Sequence, residues 1–184
     1  MKADTPDDHA ATVSRRLVLL RHAKAEPGSG SLPDVQRPLA INGRKQASRV
    51  GMAFVAAGLE PELALVSSAL RTRQTWELAA THLEPAGRPR VEVREELYEA
   101  SVGDVLDLLR EVSPDVTSVL VVGHEPTMAA TAAYLAAPGS DDAALAQVRV
   151  GVPTATYSVL ESADLPWSEW GKASARLVHV GRPS

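Results

Sequence analysis

Residues 17–24 read Leu-Val-Leu-Leu-Arg-His-Ala-Lys. The four apolar residues stop abruptly at an arginine and a histidine, and no other segment constrains the fold as much. An apolar run without polar alternation is a strand buried on both faces, and such strands belong to parallel sheets covered by helices. In open α/β sheets the ligand crevice lies beyond the carboxyl ends of the strands. Arg21 and His22 stand at that place. They pair a guanidinium, suited to anions, with an imidazole, a nitrogen nucleophile when neutral.

The rest of the chain alternates short apolar runs with helical periodicity, the pattern of βα units. Strands are predicted over residues 17–21, 63–67, around Val91 and Val93, and over 118–122, 155–160 and 175–180. The pattern predicts helices over residues 43–57, about 70–83, 101–112 and about 126–136. Ala47, Val50, Phe54 and Ala57 share one face of the first helix, and Gly58 is its stop. Pro85 limits the second helix. Ser101-Val102-Gly103-Asp104 has the form of a capping box, with Val102, Val105, Leu106, Leu109 and Val112 as the core stripe behind it. Pro126 suits a first helical turn. The loop 25–42 is rich in Pro and Gly, and the loop between the last two strands carries Trp167 and Trp170.

The expected fold is α/β: a three-layer α/β/α sandwich, its sheet mostly parallel, in a single domain over residues 15–184. Residues 1–14 are polar, lack periodicity and read as a disordered tail. They have no apolar h-region, so they do not form a secretory signal. No apolar run is long enough to span a membrane. The chain has no cysteine, which removes disulfides, thiolate nucleophiles and zinc–thiolate sites and fits a reducing cytoplasm. The net charge of -4 gives no general reason to expect nucleic acid or an anionic membrane as partner. His9, His82 and His179 have no partner pattern, and the histidines are not spaced as metal ligands, so neither metal nor cofactor is expected. Gly28 and Gly30 lack the strand–turn–helix context of a nucleotide-binding fingerprint. Their loop reads as flexible, at the rim of the site.

Three strands end in polar residues of one chemical kind. The first gives Arg21 and His22, the second runs into Ser67-Ser68-Ala69-Leu70-Arg71, and the fourth gives Gly123-His124. Parallel strands bring these ends to one edge. Two guanidiniums there bind a phosphate dianion through paired hydrogen bonds. A neutral imidazole attacks phosphorus when its other nitrogen is held as a donor, and a second imidazole donates to the phosphoryl oxygens. The set points to phosphoryl transfer through a phosphohistidine. Arg71 opens a helix, where the dipole disfavours a cation, and this strengthens the functional reading. Plainer readings suit other residues. Arg73 is a solvated helix residue, Lys24 a surface lysine, and Arg37 a partner for Asp34 on the loop. Glu99 belongs to an acidic stretch with Glu92, Glu95 and Glu96, and most such charges are only solvated.

Leu20-Arg21-His22, Ser67-Ser68-x-x-Arg71-x-x-x-Thr75 and Gly123-His124 together resemble the histidine phosphatase superfamily, which also contains the cofactor-dependent phosphoglycerate mutases. Arg21-His22-Ala23-Lys24, followed by Asp34-x-x-Arg37-Pro38-Leu39 and Asn42-Gly43, resembles the short SixA-type phosphohistidine phosphatases. The resemblance runs over residues 17–160. It implies a phosphoglycerate mutase-like sandwich in which His22 is the nucleophile that becomes phosphorylated. Arg21 and Arg71 would bind the phosphoryl oxygens, His124 would complete their pocket, and Arg37 would add a phosphate-side cation. Glu99 stands about where many members have a general acid. Ala23 replaces the Gly that many members carry, a marker of the SixA-type branch. The substrate implied is phosphohistidine on a protein, because no inserted cap closes the site. A small phosphorylated metabolite or nucleotide is the alternative, and it requires a deeper pocket and a working acid at Glu99. A catalytically silent phospho-binding protein is the alternative outside enzymes. A mutase fits less well, since it needs an enclosed site.

Overall fold

The computed structural model describes residues 13–83, 87 and 89–184. The tail over residues 1–12, His9 within it and the stop at Pro85 lie outside the described residues. A six-stranded sheet has the order β3-β2-β4-β1-β5-β6. Strands β1 (Ser14–Arg21), β2 (Leu63–Ser67), β3 (Arg90–Arg94) and β4 (Ser118–Gly123) pair in parallel. Strand β5 (Tyr157–Ala163) runs antiparallel to β1, and β6 (Arg176–Gly181) antiparallel to β5. The sheet is thus mostly parallel, with an antiparallel edge.

Side-chain alternation along β1 separates two apolar layers. Leu17 and Leu19 face α3 (Val102–Arg110), α4 (Thr127–Leu135) and α5 (Asp142–Val150). Val18 and Leu20 face α1 (Ile41–Ala57) and α2 (Leu70–Ala80). Each such buried side chain stabilises the fold by about 1.5–3 kcal/mol. Trp167 and Trp170 fill the first layer, their ring centroids 4.7 Å apart. Their indole N–H groups donate to the Val116 and Leu165 carbonyls, so both rings are core.

This layering positions the site. Helix α1 follows β1 on one face, and α4 follows β4 on the other. Strands β1 and β4 are neighbours, so the chain leaves the sheet in opposite directions from adjacent strands. That is a topological switch point, where a crevice opens beyond the carboxyl ends. His22 and His124 are the residues that follow these two strands there.

Several boundaries differ from the sequence reading. Strand β1 begins at Ser14, inside the expected tail, because Ser14 pairs with Ala163. Helix α1 starts two residues early, at Ile41, and α2 ends at Ala80, three residues early. Strand β5 starts late, at Tyr157, because Ala155 has a left-handed φ of 56°. The expected capping box of α3 is present, with Ser101 and Asp104 bonded reciprocally. Helix α5 had no counterpart in the sequence reading. It buries only Ala144 and Val148, too few apolar positions to show a period. Its end signals are present: the Asp141 carboxylate accepts from the Ala144 N–H, and Gly151 at φ 98° ends the helix.

Candidate active site

The register Arg21↔Gly123 brings the ends of β1 and β4 level. The His22 N–H donates to the Gly123 carbonyl at 3.0 Å, and the His22 and His124 rings stand 5.3 Å apart. Both histidines are thus set by the sheet rather than by a loop.

His22 is 9% exposed, and its Nδ1 lies 2.7 Å from the Ala23 carbonyl oxygen. A carbonyl only accepts, so Nδ1 carries the proton and Nε2 keeps its lone pair. Burial pushes the His22 pKa down to about 4, opposed by the Ala23 bond and reinforced by Arg71, Arg21 and Arg37. The ring is therefore a neutral imidazole at pH 7, with one nitrogen free for attack. Thr75 anchors the peptide next to it. Its Oγ1 accepts from the Ala23 N–H at 3.0 Å and donates to the Arg71 carbonyl at 2.7 Å.

His124 Nε2 lies 2.8 Å from Ser67 Oγ, and Arg71 Nη2 approaches Nδ1 at 3.4 Å. A guanidinium only donates, which makes Nδ1 the acceptor and places the ring proton on Nε2, toward Ser67. Burial, with His22 and Arg71 adding to it, lowers the His124 pKa to about 3.

Arg71, in the first turn of α2, is 6% exposed. Its Nη1 donates to the Asp34 carbonyl and its Nη2 to Asp34 Oδ2, at 2.9 and 3.0 Å. Arg21 Nη1 donates to the Val152 carbonyl at 2.8 Å. The Nε–H groups of Arg21 and Arg71 are buried without an acceptor among the described residues. Glu125 holds the segment that meets Arg21: its carboxylate accepts from the Ala129 and Val152 N–H groups, at 2.8 and 3.1 Å.

The rim comes from two connections. The loop after β1 is pinched by the bridge Ala25↔Leu39 and by the Glu26 N–H on the Pro38 carbonyl. Gly43 permits this, because any Cβ there would lie 1.8 Å from the Lys24 carbonyl oxygen. The loop carries Asp34 and Arg37 over the pocket. Asp34 Oδ1 accepts from Arg37 Nε at 2.9 Å, and Oδ2 accepts from Tyr98 Oη at 2.5 Å. The Tyr98 bond, aided by Arg37 and Arg71, holds the Asp34 carboxyl well below the usual carboxylate range. From the second connection Tyr98 and Glu99 reach an open cavity of about 290 Å³, which Asp34, Arg71 and His124 also line.

Arg21, His22, Arg71 and His124 thus lie together at one edge of the sheet. Arg37 pairs with Asp34, the plainer of its two expected roles, and its charge bears on His22. Glu99 is exposed at the cavity rim. Beyond the pairing of Asp34 with Arg37, sequence reasoning assigns no role to Asp34, Tyr98, Ser67, Thr75 or Glu125. Ser67 and Thr75 were within reach, as the fixed ends of the motif around Arg71.

The family model for the histidine phosphatase superfamily (branch 1) matches residues 17–116. The uncharacterized protein Rv1276c of Mycobacterium tuberculosis is 38% identical over 167 residues, covering 89% of this chain and all of that protein. The SixA structure of Nakamurella multipartitia is 31% identical, with a TM-score of 0.79 over 92% of this chain and 96% of its own. The protein histidine phosphatase SixA complexed with tungstate is 26% identical, with a TM-score of 0.71 over 91% and 97%. With the polar strand ends gathered at one switch point, these matches establish that the chain belongs to the histidine phosphatase superfamily, in its SixA-type branch.

Proposed function

We propose that this protein is a phosphatase that works through a phosphohistidine on His22, without a metal, and acts on phosphohistidine carried by a protein. The carrying observation is the His22 ring, neutral and hydrogen-bonded through Nδ1 to the Ala23 carbonyl, which leaves Nε2 free. Arg21 and Arg71 receive the phosphoryl oxygens. Three of the five Arg71 N–H groups are engaged by Asp34 and His124, and the others, Nε–H among them, remain for an anion. His124 completes the pocket. Arg37 acts on the phosphate side through its charge, which already bears on His22. Nε2 attacks phosphorus in line, the bond to the leaving group breaks, and water then hydrolyses the phosphoenzyme. One domain over residues 15–184 carries this chemistry, and the cysteine-free chain fits a reducing cytoplasm.

A protein-borne substrate is supported by the likeness to the protein histidine phosphatase SixA and by the openness of the cavity. No helix among the described residues is long and apolar enough to cross a membrane. The second reading, an ester phosphatase of small metabolites, is favoured by one observation: Glu99 lines the cavity, where it could protonate an alkoxide. The test is hydrolysis of a phosphohistidine peptide and of p-nitrophenyl phosphate, in chelator, by wild type and His22→Ala. The proposal expects turnover in chelator that vanishes in the variant. Turnover that persists in His22→Ala, or is lost on chelation, overturns it.

A further inference from the structure

We propose that Asp34 selects the leaving group: its carboxylate accepts an N–H from the distal nitrogen of a phosphorylated imidazole at the pocket mouth. The inference rests on the phosphatase reading of the site and names the feature by which the pocket tells an N-phosphorylated substrate from a phosphate ester.

The placement of charge carries the argument. The ring of His124 lies 5.3 Å from that of His22 and 5.7 Å from that of Tyr98, and the Tyr98 hydroxyl is bonded to Asp34. Asp34 is thus linked to His124, the neighbour of the nucleophile, through Tyr98 and through Arg71, and it lines the open cavity. The cavity is lined by the guanidinium of Arg71 and by the carboxylates of Asp34, Glu125 and the exposed Glu99, with Arg37 offsetting part of the Asp34 charge, while Arg21 adds its charge at His22. A substrate with a phosphoryl dianion at one end and a cation at the other matches both. A phosphorylated imidazole protonated on its distal nitrogen is such a molecule. A metabolite bearing carboxylates or further phosphates places negative charge against the mouth.

Hydrogen-bond capacity supports the same reading. A carboxylate offers about four acceptor positions. Arg37, Arg71 and Tyr98 occupy three of them: one on Oδ1 and two on Oδ2. One position on Oδ1 remains, and the Asp34 side chain is 51% exposed, so a ligand can reach it. Three donors also keep the group ionised, so it cannot serve as the acid for an alkoxide. Its depressed pKa agrees with that.

The step balances without an acid. His22 Nε2 donates its lone pair to phosphorus, and the phosphorus–nitrogen bond of the substrate breaks. The bonding pair returns to the imidazole, which leaves neutral because its distal nitrogen already holds the proton that Asp34 accepts as a hydrogen bond. An ester oxygen leaving in the same way has no such proton.

The experiment compares wild type with Asp34→Asn on a phosphohistidine peptide and on p-nitrophenyl phosphate, with inorganic phosphate as a competitive inhibitor of both proteins. A lost hydrogen bond to a charged acceptor predicts a fall of roughly 10- to 100-fold in kcat/KM on the peptide. On the ester the fall is at least about tenfold smaller, because Asp34 bears on that substrate only through Arg71. Phosphate inhibits the variant at least as well as wild type, because Arg71 has lost a competing anion. Asp34→Glu restores part of the peptide activity. Equal losses on both substrates with weakened phosphate inhibition would mean that Asp34 only holds up Arg71, and would overturn the inference while leaving the phosphatase reading intact. Unchanged activity on both substrates overturns it as well. A wild type that turns over neither substrate overturns the phosphatase reading and the inference with it.

Discussion

The floor of this pocket is made of side chains that leave the sheet, whereas its rim hangs on loops gathered around one carboxylate. Arg21 ends β1, His22 and His124 follow β1 and β4, and Arg71 opens the helix after β2. Each is held by contacts to backbone or to another floor residue, and Arg71 also by the Asp34 carboxylate, an ion pair between floor and rim. The rim residues Arg37 and Tyr98 come from separate connections and share a single acceptor, Asp34. A sheet edge is fixed by the cooperative fold of the whole core, and its geometry survives local changes. A rim tied at one residue is easily retuned. On the proposed function, the difference separates chemistry, assigned to the floor, from choice of substrate, assigned to the rim.

That division is broken most directly at the floor. His22→Ala should lower kcat by at least ~10⁴-fold on phosphohistidine peptide and ester alike, in steady-state assays with chelator present. Arg71→Met should cost about 10²–10³-fold on both substrates, since it removes a donor aimed at developing charge. If either variant spares one substrate, floor and rim are not separate. Thr75→Val keeps the side-chain shape but leaves the buried Ala23 N–H without its acceptor. It should destabilise the fold by about 1–3 kcal/mol in urea denaturation and lower kcat by roughly 10-fold. Glu99→Gln, at the rim, should change peptide turnover by less than about threefold, as expected for an exposed charge.

The smallest expected effect is none at all: the C–H resonances of His22 and His124 should not titrate between pH 5.5 and 8 in proton NMR. Their folded pKa values, about 4 and about 3, lie below the ordinary value of 6.5. The unfolded chain therefore binds more protons than the native one below pH 6.5. The stability from keeping these rings neutral is complete above that pH and is lost as the pH falls toward 4. Thermal unfolding between pH 7 and 4 should show a falling Tm, less steep in His124→Gln.

The same floor and rim differ in how far the sequence shows them. Strand ends are legible because an apolar run stops at a fixed residue, so Arg21, His22 and His124 can be placed without coordinates. Arg71 stands out as a cation where a helix dipole disfavours one. Asp34 and Tyr98 lie 64 residues apart, and no local pattern announces their contact. Only the pinched loop over β1 and the turn after β3 bring them together. Glu99 illustrates the opposite limit: its position in the chain fits an acid, but only coordinates show that it stands at the exposed rim. The missed helix α5 has the same cause as the missed rim. Its short burial stripe gains meaning from β6 and α4 packed against it, not from its own period.

The bond from His22 Nδ1 to the Ala23 carbonyl has a consequence for the intermediate. Phosphorylation of Nε2 leaves the Nδ1 proton where the backbone holds it, so the phosphoenzyme is itself a phosphorylated imidazolium. With the proposed phosphohistidine substrate, donor and acceptor of the phosphoryl group are then the same chemical species, and the first transfer is close to an exchange between equals. Nothing but water drives such a relay forward. On the proposed mechanism, direction would come from the second step, in the access of water to phosphorus on His22.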